Sequence, residues 1–67
     1  MEATYKENEI VIIPAEINGY GVDVRAMILK IEVFFGRTML HVTYIEPAAL
    51  PDGSQGGVYY PGQVVKE

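Results

Sequence analysis

Residues 27–45, MILKIEVFFGRTMLHVTYI, alternate apolar and polar positions and are crowded with Val, Ile, Phe, Tyr and Thr. Strict alternation over such β-favouring residues predicts strands, not a helix whose apolar positions recur every three or four. Gly36-Arg37 suits a two-residue type II′ loop, with Gly at its first position. Counting outward from that loop pairs Phe35 with Thr38, Val33 with Leu40, Ile31 with Val42 and Leu29 with Tyr44. These pairs form an inward face. The other face then carries Phe34 with Met39, Glu32 with His41, Lys30 with Thr43, and Ile28 with Ile45. A one-residue slip would exchange the two faces, so the clean sorting supports the hairpin.

The remaining elements are placed around this hairpin. Residues 9–14, EIVIIP, read as a first strand whose consecutive aliphatics imply cover on both faces or a twist between layers, and Pro14 ends it. Residues 15–21, AEINGYG, read as a loop in which Asn18-Gly19 would pair Ile17 with Tyr20. Val22, Val24 and Ala26 share one side of the next strand. Because odd positions point inward from Leu29 onward, the chain must bulge, bend or have both faces covered between Ala26 and Leu29. Residues 46–57, EPAALPDGSQGG, form a long loop with a Pro-Asp-Gly turn, room for one helical turn at 48–50, and mobility expected at 54–57. Residues 58–60 are a short strand, 61–63 a turn, and 64–65 a last strand. Residues 1–8 are polar and expected to fray.

Length adds a constraint. With 67 residues the chain is one domain, residues 1–67, whose modest core leaves stability marginal unless oligomerisation helps. There is no Cys, which excludes disulfides and thiolate metal sites. The formal net charge is −4, and the five Lys and Arg form no run, which disfavours phosphate-backbone binding. No apolar leader opens MEATYKENE and no run approaches membrane-spanning length, so a cytoplasmic protein is expected.

The strand order, with Gly57-Val58-Tyr59-Tyr60-Pro61-Gly62-Gln63-Val64-Val65 as its most specific piece, resembles the Src-homology-three-like small barrel. That family closes on a strand, a Pro, one 3₁₀ turn and a Val-rich strand. Asn8-Glu9-Ile10-Val11-Ile12 is similar to its acidic-then-apolar early strand. The resemblance implies an all-β fold: a small, five-stranded, strongly bent antiparallel barrel built on the 27–45 hairpin. Thr38-Met39-Leu40 stands where the family has a Trp pair, and residues 15–21 lack its acidic cluster. The family's proline-rich peptide binding is therefore not carried over, and fold alone assigns no function.

The inventory points away from catalysis. His41 is the single His, there is no Cys nucleophile, and Ser54 lies in a loop. One His and one Glu are too few for a dedicated metal centre, and no glycine pattern cradles phosphate, so no cofactor is expected. Seven aromatics, five Tyr and two Phe, are many for this length; most fill the core, and the rest suit an interface. The expected function is a non-catalytic module that binds another protein or itself as a homo-oligomer. Its candidate contact residues are Phe34, Met39, His41, Ile45, Tyr20 and Tyr59. Two alternatives remain. One is a nucleic-acid-associated barrel, which needs Arg25, Lys30 and Arg37 to converge. The other is an enzyme whose site forms only at an oligomer axis.

Overall fold

A computed structural model describes residues 5–67. Its elements in chain order are β1 (Ile10–Ile13), α1 (Ala15–Asn18), β2 (Val24–Phe34), β3 (Arg37–Glu46), β4 (Gly56–Tyr59), a 3₁₀ turn (Pro61–Gln63) and β5 (Val65–Lys66). The strands form one antiparallel sheet in the order β4-β3-β2-β1-β5. The two strands at its edges, β4 and β5, are consecutive in sequence.

One face of the sheet makes the core. Alternate residues Val11 and Ile13 of β1, Val24, Ala26 and Ile28 of β2, and Leu40, Val42 and Tyr44 of β3 are buried there together with Val64. Register explains the grouping, since Val11 lies opposite Ala26, Ile13 opposite Val24, Ala26 opposite Tyr44, and Ile28 opposite Val42. Directly opposed residues share a face, so one phase error would scatter this set. Ile10 and Ile12 on the other face of β1 are half-buried, which accounts for four aliphatics in a row.

The central hairpin forms, with its loop one residue earlier than expected. Phe34 pairs with Arg37, so Phe35 and Gly36 make the turn. Both have positive φ, 51° and 74°, as a type I′ loop requires. Moving the loop by one residue slides β3 along β2 by one pleat. Ile31 therefore meets Leu40 and not Val42, and Val33 meets Thr38 and not Leu40. A slide of two residues preserves sidedness, so Leu40, Val42 and Tyr44 remain inward as expected. The phase change expected between Ala26 and Leu29 occurs as a β-bulge between Ile28 and Lys30. Leu29 is the unpaired residue, 53% exposed and outside the core, and Val33 is 67% exposed. Neither fills the inward role assigned to it; Ile31 does so in part, packed against the core margin.

Three other segments differ from expectation. Residues 15–18 form α1, closed by Gly19 at φ 72°, in place of an Asn-Gly hairpin. Asn18 explains the choice: its side-chain amide donates to the carbonyls of Ile13 and Val22, and its oxygen accepts from the Tyr20 amide. Gly56 and Gly57 belong to β4, opposite Thr43 and Val42. Gly56 has to be Gly, because a Cβ there would collide with the Val42 carbonyl. Of the N-terminal residues expected to fray, 5–8 are tied down. Asn8 donates to the Ile28 carbonyl, and the Tyr5 hydroxyl approaches the carbonyls of Pro61 and Val64 at 3.4 Å. Residues 1–4 lie outside the described part. The turn at Pro51-Asp52 is present, and residues 47–49 bend, so no helical turn forms at 48–50. The Glu46–Pro47 peptide is cis.

Candidate interaction surface

The strands differ in length, and the difference creates the surface. β2 has 11 residues and β3 has 10, whereas β1 and β4 have 4 each. β1 covers β2 only over Arg25–Met27 and Val24, and Asn8 and Glu9 extend that cover to Ile28. β4 covers β3 only from Leu40 to Thr43. Toward the turn, beyond Ile28 and Leu40, β2 and β3 pair with each other alone among the described residues. Residues 29–39 therefore project as a two-stranded ribbon, in keeping with overall extents of 32 × 20 × 20 Å.

The ribbon carries apolar side chains that the fold does not bury. Phe34 is 58% exposed and Phe35, at the tip, 89%. Their rings meet edge-on with centroids 4.4 Å apart. A bulky residue at positive φ carries a steric cost of about 1–2 kcal/mol, and Asn or Gly normally fills that loop position. Among the described residues, the Phe35 ring meets one other aromatic ring, that of Phe34.

Of the six expected contact residues, Phe34, Met39 and His41 share the outer face of the hairpin. Glu32, opposite Met39, belongs to the same face, as do Lys30, opposite His41, and Val58 of β4, also opposite His41. Glu32 sits between two cations. One carboxylate oxygen lies 3.1 Å from His41 Nε2 and the other 3.9 Å from Lys30 Nζ. The expected His41–Glu32 neighbourhood is thus present, reached diagonally across the strands. Ile45 is exposed at the opposite end of β3, and Tyr20 lies in the segment after α1. Tyr59 is on the core side, opposite Leu40. Its hydroxyl is 2.7 Å from that of Tyr44, and a Cβ at Gly57 would press on both phenols. Burial first, then the hydrogen bond to Tyr59, pushes the Tyr44 phenol well above its ordinary value of 10.0. That pair completes the core edge and does not face the ribbon surface. Leu29, Val33, Phe35 and Val58 belong to the exposed apolar set and were not singled out from the sequence.

The cations do not converge. Arg25, at the base of the hairpin, bonds Glu67 at 2.7 Å and approaches Glu46 at 3.9 Å, while Arg37 stands at the far end of β3. Among the described residues no three His, Asp or Glu side chains cluster as metal ligands. No helix there is long and apolar enough to cross a membrane. Comparison with protein-family models, curated proteins and solved structures finds no match to this chain.

Proposed function

We propose that this chain is a non-catalytic interaction module, a small barrel of Src-homology-three-like architecture that engages another protein or its own copy through the projecting hairpin. The observation carrying this reading is the ribbon of residues 29–39, which holds Leu29, Val33, Phe34 and Phe35 in solvent. Exposed apolar groups gathered at one place mark contact sites, and burying a Phe side chain contributes about 1.5–3 kcal/mol.

The barrel part of the proposal is supported by chain length. Five flat strands would hold the edge strands β4 and β5 roughly 19 Å apart. The connection from Tyr59 to Val65 includes three residues of 3₁₀ turn. It reaches at most roughly 16 Å. The sheet has to curl for that link to close. The strand order and the 3₁₀ turn before β5 also agree with the resemblance.

A photo-crosslinking residue at position 35 tests the interaction in cells that express the protein natively. Position 22, also an exposed apolar site on the described surface, serves as control. Protein adducts from position 35 and not from 22 are expected. If position 35 yields none, the proposal fails.

A further inference from the structure

The edge of β2 beyond Ile28, open among the described residues, has a sequence property that the exposed Phe pair does not. Along Leu29-Lys30-Ile31-Glu32-Val33 the order is apolar, positive, apolar, negative, apolar. Reversed end to end, the string keeps its apolar positions and exchanges its charges. In antiparallel pairing of two identical segments about Ile31, each Lys30 therefore stands opposite the partner's Glu32. Leu29 stands opposite the partner's Val33, and Ile31 opposite its own copy. Resting on the interaction reading above, we infer that this edge pairs with the same edge of a second copy, giving a two-fold dimer with a continuous sheet.

The neighbouring registers are worse on elementary grounds. Centring on Glu32 opposes two carboxylates, and centring on Lys30 opposes two ammonium groups; like charges directly opposite destabilise. Centring between residues 31 and 32 opposes Ile31 to Glu32, which brings the apolar side of one strand to the charged side of the other. The limits of the free edge also fit. The bulge at Leu29 and the cover of Ile28 by Asn8 and Glu9 end the segment on one side, and the turn at Phe35 ends it on the other. Centring on Ile31 keeps residues 30–32 of both copies, with Leu29 and Val33 at the ends, between those limits.

An edge built only to prevent pairing would carry Lys without the complementary Glu, since a lone cation repels its copy. Here the Lys30 ammonium lies 3.9 Å from Glu32 in the same chain, with side chains 63% and 41% exposed. The other Glu32 oxygen meets His41 at 3.1 Å, and the exposure of both side chains still lets a partner strand reach them. The pairing would also cover part of Val33 and Leu29, which the isolated fold leaves in water.

The test uses charge reversal in two separate proteins, Lys30→Glu and Glu32→Lys, with the mass of each measured by sedimentation or light scattering and the fold checked by circular dichroism. Native protein is expected to dimerise. Each single variant opposes like charges twice at the two-fold and should associate about tenfold or more weakly. An equimolar mixture of the two should recover dimers, because the all-acidic segment then meets the all-basic one. The unfavourable Lys or Glu pair within each chain persists in the mixture, so recovery reports contact between chains alone. A native protein that stays monomeric, single variants that dimerise as it does, or a mixture that fails to recover would each overturn the dimer. Crosslinks from position 35 to a different protein, with no dimer, would sink this inference and leave the interaction module standing.

Discussion

Tyr44 shows how one side chain ties the core edge to solution pH. Its ring is buried with Leu40 and Val42, while its hydroxyl meets Tyr59 beside Gly57. Burial favours the neutral phenol, so the folded state holds the proton more tightly than the unfolded chain does. Stability from this group is fully present below pH 10, the ordinary phenol value, and is lost as pH rises beyond it. Tyr44→Phe should cost about 1 kcal/mol at neutral pH, the net value of one hydrogen bond. Above pH 10 the gap between the two proteins should narrow, because the variant has no phenol to ionise there. Melting curves of both proteins across the alkaline range measure this directly. A gap that widens with pH would mean that Tyr44 is not held neutral. Asp52 is a contrasting case. Its carboxylate accepts from the side chain and the amide of Ser54, which lowers its pKa on an open surface, and it orders only the local turn.

The second strand is where sequence and structure diverge most usefully. Apolar alternation showed that the hairpin exists and which side of β3 faces in, because sidedness survives a slide by one pleat. The register was not legible, since the loop places Phe at a positive-φ position that local preference gives to Asn or Gly. Gly36 was assigned to the first loop position and occupies the second. The change of phase between Ala26 and Leu29 allowed a bulge, a bend or cover on both faces, and nothing in Met-Ile-Leu-Lys says that a bulge forms or which aliphatic becomes the extra residue. Ile28→Ala and Leu29→Ala decide the point. Ile28 is fully buried, and its truncation should cost about 2–5 kcal/mol. Leu29 is more than half exposed and should cost well under half as much. Denaturant midpoints that ranked the two in reverse order would move the bulge by one residue. Phe35→Asn makes a separate prediction. Relief of the turn strain should raise stability by about 1 kcal/mol, which is about 4–8 °C in melting temperature for a domain this size. The same substitution should weaken crosslinking-competent contacts made at the tip. For the contact surface, the outer face of the expected hairpin pointed to Phe34, Met39 and His41. Leu29, Val33 and Phe35 were assigned to the inward face and are exposed, because their exposure depends on how far β1 and β4 fall short of the hairpin, a tertiary quantity with no local signal.

At the scale of the whole molecule, a chain of this length has little stability to spare: about 0.05–0.15 kcal/mol per residue is typical. Among the described residues nine side chains supply the buried core, and the exposed ribbon adds little to it. If second copies pair along β2, association and folding are linked, since only the folded edge is competent to pair. Mass action then adds stability as protein concentration rises above the dissociation constant, reaching about 2.7 kcal/mol at a hundredfold excess. The melting temperature of the native chain should therefore climb with concentration. The Lys30→Glu variant, whose opposed charges weaken the pairing, should melt at a nearly constant temperature over the same range. Scanning calorimetry on dilution series of both separates this from a change in the fold itself, which would shift the variant equally at every concentration. A native protein whose melting temperature ignores dilution would place the contact elsewhere, with a partner of different sequence meeting the ribbon at Phe34 and Phe35.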